Sequence, residues 1–567
     1  MPRYEELIER LNPKPKFNLK YYKDADQYSE GDVEDLMIEL IAANAPEDYV
    51  KAIAEHFHWS TYYHLTHTRT NILNWYPFKK DARILEIGCG LGAITNMLCD
   101  RCKSVTAVEL SKRRAAAALL RCRERENLEI IVGNLNDVEF EEKFDYITLI
   151  GVLEYQGSYT NTSHPYVDFL RKIKGLLKPD GKLLIAIENQ YGLKYWCGAR
   201  EDHTGVPFDG INQYKLGGEN GKTFSRTALE NMIQESGFAN SFFYYPMPDY
   251  KLPSVVYSQA FLPKDGNMHN MKCYYAPNKK TLIADEASIY EDVIRNGAFE
   301  FMANAFLVEC SDSADIGEIT FALMNDMRAK PYRVGTRFVK NNKVEKFLLA
   351  SGINEAHIQQ ITDNETQMAD AGLNVLQSEK TDGVLTVDYL TAPLAEGVFV
   401  DACRIGDRGK ALHMLKLLWE EIMKSSEEVA SEKNILYGLG IDTFDAEKYG
   451  PILKKGYLDM ILRNAVWEKE GFCWFDQEWM LENVPAKFVF YRALAELYKS
   501  YPDIDKELPF IEVAETYGIS TILKELKQLE ELFGMSILDV DAYQERMAFS
   551  NPKLEDIVLN IEKIMGK

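Results

Sequence analysis

Residues 82–95, ARILEIGCGLGAIT, carry the densest grouping of chemically useful residues in the chain. An apolar run ends at Ile87, glycines follow at 88, 90 and 92, and a helix-forming stretch begins. Glycine is required where a chain turns sharply, or where backbone must lie against a ligand with no Cβ in the way. The helix that follows adds free N–H groups and the positive end of its dipole. Two acids flank the turn: Glu86 just before it, and Glu109 at the end of the run SVTAVEL. A carboxylate about 20 residues beyond such a turn is placed to accept both hydroxyls of a ribose. Gly88-Cys-Gly90-Leu-Gly92-Ala93 also satisfies the dinucleotide fingerprint G-x-G-x-x-G/A, which keeps NAD open as a ligand. Glu86 argues the other way, because a carboxylate at the turn repels pyrophosphate and attracts a ligand with an ammonium and a sulfonium.

The elements that must position these residues run from 82 to about 262. The apolar runs ARILEIG, SVTAVEL, LEIIVG, FDYITLIGV and KLLIAIEN alternate with helix-length stretches such as KRRAAAALLRCRER and HPYVDFLRKIKGLL. Buried parallel strands read as short continuous apolar runs, so the alternation predicts a doubly wound, Rossmann-like α/β sheet. SGFANSFFYYPMP and SVVYSQAFLP, joined by MPDYKLP, predict an antiparallel pair at the sheet edge. LPKDGNMHN, 262–270, reads as a domain boundary.

The ordered set LEIGCGLGAIT, VTAVELS, FDYITLIGVLEY and LLKPDGKLLIAIEN resembles the motif series of class I S-adenosylmethionine-dependent methyltransferases over about 200 residues. The resemblance implies that S-adenosylmethionine is the cofactor. Glu86, Gly88, Gly90 and Gly92 would then surround its methionine part, Glu109 would bind the ribose, and Asn134 and Leu135 would flank the adenine. The family often has Asp where this chain has Asn134, and Asp137 is a second candidate for that contact. Gly151 would lie beside the methionine amine.

Methyl transfer needs an aligned acceptor, a dry site and, for a hydroxyl acceptor, somewhere for its proton to go. Those groups belong beyond the carboxyl ends of the strands. Glu154 and Tyr155 follow the fourth strand, Glu188 and Asn189 end the fifth, and the next loop adds Arg200, Glu201, Asp202 and His203. Glu188, His203 and Glu154 are the candidate catalytic residues, with His203 or Glu188 as base. YHLTHTRTNIL, AIENQYGLKYWCGAREDHTG and YYPMPDYKLPSVVYS resemble a methyltransferase group of bacterial surface-polysaccharide gene clusters. That resemblance implies a carbohydrate or carbohydrate-lipid acceptor, and places His64, His67 and Arg69 in a helical cap over the cofactor.

The C-terminal half holds a second constellation. In YLDMILRNAVWEKEGFCWFDQEW, Asp459 and Asn464 are followed by Asp476 at the end of an apolar run. That is the order of a phosphotransferase base, a metal-binding Asn and a metal-binding Asp. Lys346 in VEKFLL supplies a strand lysine for phosphates, with Glu355 or His357 to orient it. This half resembles the kinase-like fold of aminoglycoside and lipopolysaccharide kinases, which implies Mg and ATP, with Asn464 and Asp476 as metal ligands. It departs from that pattern in having DQE for DFG, no His or Arg in the usual place before Asp459, and no Gly-rich loop at 311–335. Three functions follow: a glycan methyltransferase, a bifunctional methyltransferase–kinase acting on a glycan terminus, or a cofactor-binding scaffold without activity.

The domain expectation is a helical cap at 1–80, a methyltransferase domain at 81–265, a small α+β lobe at 285–400 and a mainly helical lobe at 401–567. EELFGMSILDV and LEDIVLNIEKI carry amphipathic stripes suited to a core or a homodimer face. The chain has 567 residues, 46% of them hydrophobic, enough for several cores. Its net charge of -22 disfavours nucleic acid and anionic membranes. No apolar run approaches the roughly 20 residues of a membrane span, and the N-terminus is charged where a signal peptide is apolar. Nine cysteines without framework spacing, a lone CxxC at 99–102 included, read as reduced packing thiols. A cytoplasmic protein is the expectation.

Overall fold

The structure is a computed structural model and describes residues 4–23, 31, 33–217, 221–268, 271–349, 355–429, 434–440, 445–550 and 552–566. Its centre is one mixed sheet. Strands β1 (Lys16–Tyr21), β2 (Arg83–Ile87), β3 (Ser104–Glu109), β4 (Leu128–Gly133), β5 (Phe144–Ile150) and β6 (Leu177–Glu188) are parallel, in the order β1-β4-β3-β2-β5-β6. Next come β7 (Asn240–Met247), β8 (Val255–Ser258) and β9 (Ala305–Ser311), with β9 lying antiparallel between β6 and β7.

Both faces of this sheet are covered, which is why its strands are apolar without alternation. Leu85, Ile87, Leu183, Ile185 and Ile187 join one core, while Ile84, Ala107, Ile130, Leu184 and Ala186 join the other. Helix Lys112–Arg121 brings four consecutive buried alanines, 115–118, against its neighbours. Small side chains let that helix approach helix Ala93–Arg101 closely. Its first turn is capped by Ser111, whose hydroxyl accepts the Arg114 amide.

The segment expected to be a helical cap at 1–80 also contains strand β1, paired in parallel with β4. Its sequence, KFNLKY, alternates polar and apolar residues, and every position is half-buried or exposed, as suits an edge strand. Helices Val33–Ala43, Tyr49–Glu55 and Trp59–Leu65 follow it.

The boundary expected near 262–270 does not divide the sheet, and residues 269 and 270 lie outside the described residues. β9, beyond that boundary, is buried along its whole length inside the sheet. β7 and β8 do form an antiparallel pair, but not at an edge. β8 pairs onward with β10 (Ile319–Met324), followed by β11 (Val334–Val339) and β12 (Lys343–Leu348). The sheet ends in the order β12-β14-β13, where β13 is Glu379–Thr381 and β14 is Val384–Asp388. The expected lobe at 285–400 is therefore a continuation of the same sheet, with helix Ala356–Asp370 packed on it through Ile358 and Ile361.

The remainder has its own core, built by helices Ala395–Arg404, Arg408–Lys424 and Ala486–Ser500 around Leu415, Leu418, Phe488 and Leu494. It is less helical than expected, because a three-stranded sheet and a two-stranded hairpin interrupt it. The hairpin, Ala465–Glu468 with Gly471–Trp474, separates Asn464 from Asp476. All nine cysteines are buried and unbonded. No helix among the described residues is long and apolar enough to cross a membrane.

Candidate active site

The parallel strands all end on one side, and their last residues ring a cavity of about 430 Å³. Glu86, Glu109, Gly133, Ile150 and Glu188 come from the ends of β2, β3, β4, β5 and β6 respectively. That is the crevice where open α/β sheets bind ligands.

The turn after β2 is built from left-handed glycines: φ is +75° at Gly88 and +52° at Gly90. A Cβ on Gly88 would run into Val152 Cγ2, and one on Gly90 would meet the Arg114 guanidinium at 3.1 Å. Gly88 and Gly90 line the cavity; Gly92 does not. Expected beside the methionine part, Gly92 instead sits against helix Lys112–Arg121, where its Cβ would be 2.8 Å from Ala118 Cα. Its role is close packing of two helices.

Glu109 takes the Gly90 amide at 2.8 Å and the Ser111 amide at 3.1 Å, and lines the cavity. Glu86 is buried, with Oε2 lacking a hydrogen-bond partner, and burial pushes its carboxyl up to about 7. Asn134 and Leu135 line the adjoining wall. The Asn134 oxygen already accepts the Asn136 amide at 2.9 Å, capping a short turn, so its free capacity lies with the remaining lone pair. Asp137 is not in the cavity wall; it pairs with Lys23 at 2.7 Å. Gly151, at φ +68°, lies where a Cβ would press on Tyr250 Oη.

At the other end of the cavity stand the candidate catalytic residues. His203 Nε2 is 3.4 Å from Glu154 Oε1 and 3.9 Å from Glu188 Oε2. Behind it, Glu201 Oε1 meets His203 Nδ1 at 2.9 Å. Glu201 Oε2 accepts the His203 and Thr204 amides, each at 2.7 Å. Glu188 Oε1 accepts from Lys251 Nζ, which also donates to Asp202 at 3.0 Å. Burial works to raise Glu188, but the Lys251 ammonium outweighs it and holds this carboxyl below its usual range. Burial raises Glu154, which has no such lysine. For His203 burial opposes protonation, yet hydrogen bonds to Glu154 and Glu201 hold the imidazole well above its usual value.

Tyr63, His64 and Arg69 reach the cavity from the N-terminal helices, whereas His67 turns away and meets the Asp326 carbonyl at 2.7 Å. Arg69 donates to the Tyr250 and Lys251 carbonyls at 3.3 and 3.0 Å, tying this segment to the β7–β8 loop. Tyr155 and Asp202 line the cavity. Asn189 lies outside the cavity wall and caps the end of helix Phe299–Met302, donating to the Phe301 and Ala303 carbonyls, and Arg200 also lies outside the wall. Sequence reasoning passed over Tyr250, Lys251 and the buttressing role of Glu201. The available signal was MPDYKLP, a turn that had to project beyond two strands.

The carbon skeleton of the site fits S-adenosylmethionine: a cradle with no Cβ, an acid pinned for a diol, and an orphaned carboxylate oxygen for a cation. Residues 85–185 match the family described as Methyltransferase domain. This segment is a class I methyltransferase domain of the S-adenosylmethionine-dependent kind. The chain is 29% identical over 124 residues to malonyl-[acyl-carrier protein] O-methyltransferase of Priestia megaterium, covering 22% of this chain and 42% of that protein. It is 25% identical over 115 residues to Nodulation protein S of Rhizobium tropici, covering 20% of this chain and 47% of that one. The chain thus spans about a third to a half of the length of the curated relatives it matches. Among solved structures, N-methyltransferase NodS from Bradyrhizobium japonicum WM9, in complex with S-adenosyl-L-homocysteine, aligns at 16% identity with a TM-score of 0.24. That alignment covers 43% of this chain and 84% of NodS.

The C-terminal constellation assembles differently. Lys346, on β12, is buried and pairs with Asp476 and, at 3.1 Å, Glu478. Neither Glu355 nor His357 touches Lys346. Glu355 pairs with Lys380 at 3.1 Å, while His357 Nε2 meets Glu478 Oε1 at 2.6 Å. Asp459 is buried and accepts the Glu478 and Trp479 amides at 2.9 and 3.0 Å. Burial pushes it up to about 7. Asn464 leans toward the Asp459 carbonyl at 3.4 Å.

Proposed function

We propose that this protein methylates a hydroxyl of a carbohydrate or carbohydrate-lipid acceptor, a precursor of a surface glycan. The observation that carries the reading is the sharing of one cavity by the glycine cradle and the Glu154–Glu188–His203 wall. S-adenosylmethionine supplies a methyl group activated on a sulfonium. Glu109 would hold its ribose, Glu86 and Gly151 its amino-acid end, and Asn134 and Leu135 its adenine. The chain's own work is to align the acceptor and exclude water, with Tyr63, His64, Arg69 and Tyr250 closing over the site. With the cofactor bound, transfer would break the sulfonium S–CH3 bond and leave a neutral thioether, and the proton of the acceptor hydroxyl would pass to the carboxylate–imidazole wall. Glu188 is the member kept ionised by a neighbouring lysine. A wall of Glu154, Glu188, Asp202, His203 and Lys251 suits a polyhydroxylated acceptor better than an apolar one.

The test is incubation of the full chain with methyl-labelled S-adenosylmethionine and glycan or glycolipid precursors. Label appearing as an O-methyl sugar is the expected result. Label found only on amines or thiols overturns the acceptor assignment, and no transfer to any acceptor favours a cofactor-binding scaffold.

A second reading, a methyltransferase–kinase, draws on the pairing of Lys346 with Asp476 across the hairpin that separates Asp476 from Asn464. It expects Mg-dependent ATP binding that is lost in Asp476→Ala. Indifference to ATP in calorimetry removes it.

A further inference from the structure

We infer that Glu154, Glu188 and His203 form a divalent-cation site at the acceptor end of the cavity. One ligand atom from each residue lies within 4.8 Å of the others, and this is the group of that kind among the described residues. Such spacing suits a shared ion with bonds of about 2.0–2.2 Å after small side-chain adjustments. The residues come from three separate places: the turn after β5, the end of β6 and the loop beyond it.

Two features distinguish this from a mere acidic cluster. Glu154 Oε2 and Glu188 Oε2 are both buried with no hydrogen-bond partner, on side chains that are 1% exposed. An unsatisfied buried carboxylate oxygen is costly, and a metal ion shared by the two carboxylates is a partner that would relieve that cost. The second feature is the support behind the imidazole. Glu201 accepts from the Nδ1 side of His203 and is itself pinned by two backbone amides, which leaves Nε2 directed at the two glutamates. A carboxylate behind a histidine in this way fixes ring and tautomer for metal binding. Lys251 occupies only the other oxygen of Glu188.

One imidazole with two carboxylates suits a first-row ion, Zn²⁺ or Mn²⁺, ahead of Ca²⁺, which takes oxygen ligands in larger number. Resting on the methyl-transfer reading, a cation here would also narrow the acceptor class. It would favour groups offering two neighbouring oxygens, such as a vicinal diol or a hydroxy acid, over an isolated alcohol.

Mn²⁺ titrated into the full chain and followed by electron paramagnetic resonance provides the test, with S-adenosylhomocysteine affinity measured separately by calorimetry. The expected result is one Mn²⁺ per chain, with affinity reduced at least about tenfold in Glu154→Gln and in His203→Ala, and S-adenosylhomocysteine still bound by both. A crystal soaked in MnCl₂ should show anomalous density among the three side chains, which tests the site even if a variant fails to fold. Absence of bound Mn²⁺ and Zn²⁺ at millimolar concentration, or binding indifferent to both substitutions, overturns the proposal. Mn²⁺ bound here without S-adenosylhomocysteine affinity would overturn the methyl-transfer reading and leave the metal site standing.

Discussion

Glu109 and Gly90 are joined by a 2.8 Å hydrogen bond from the Gly90 amide to the glutamate's Oε2. The acid that ends β3 therefore holds the middle of the glycine turn after β2, and the turn in return fixes the carboxylate. With Ser111 holding Oε1, two lone pairs are used and the others remain for a ligand diol.

Removing that carboxylate should cost the turn its anchor and the ribose its partner together. Glu109→Ala is expected to weaken S-adenosylhomocysteine binding by about 3 kcal/mol, or roughly 100-fold, since charge-assisted hydrogen bonds contribute about 1.5–3 kcal/mol each. Isothermal calorimetry reads this directly. An affinity within threefold of the unmodified protein would refute the assigned role.

Glu86 makes cofactor affinity depend on pH. Its carboxyl sits at about 7 in the free protein because it is buried, so it is mostly neutral at pH 6 and mostly ionised at pH 8. A ligand ammonium selects the ionised form, so binding at low pH must first expel a proton. S-adenosylhomocysteine affinity is expected to rise about tenfold from pH 6 to pH 8, which corresponds to one titrating group. Glu86→Gln should flatten this profile.

Gly92 should separate stability from binding. Gly92→Ala forces a Cβ into Ala118 and places alanine at φ +76°. The expected loss is about 1–3 kcal/mol of stability, seen as a lower melting temperature. Affinity for S-adenosylhomocysteine well below the melt should stay close to that of the parent, in contrast to Gly88→Ala, where the glycine faces the cavity.

Lys346→Met should destabilise the chain strongly, because it leaves the buried Glu478 beside one charge fewer and takes the partner from the exposed Asp476. Breaking one side of a buried pair costs about 3–5 kcal/mol. Urea denaturation is the suitable measurement. A loss below 1 kcal/mol would mean that Arg328 and His357, which also contact Glu478, carry the cluster unaided.

Much of the cavity was readable before any coordinates. β2 to β6 are buried on both sides, and that environment writes itself as LEIG, VTAVEL and LLIAIE. The acids that end these runs, Glu86, Glu109 and Glu188, do meet in one hollow. What escaped was set by long-range pairing. KFNLKY alternates polar and apolar residues, but six residues in a segment that otherwise reads as helical do not reveal that they pair with β4. AFLVECS reads as a strand, but nothing local says that it inserts between β6 and β7. Gly92 belongs to the same glycine string as Gly88 and Gly90, and only its contact with Ala118 reveals a different task. Lys251 was missed because its partner, Glu188, lies on another element 63 residues away.

The late arrival of β9 has a consequence for how the protein is made. Until residue 311 leaves the ribosome, β6 stands as an open margin, apolar over residues 183–187, with its antiparallel neighbour still unsynthesised. The nascent chain must therefore hold an incomplete nucleotide-binding half in check while more than a hundred further residues are added. Once β9 docks, its neighbour β7, and β8 beyond it, carry the hydrogen-bonding ladder straight on into β10. A shorter version cut near 265 would lack an interior plank, the strand that joins β6 to β7.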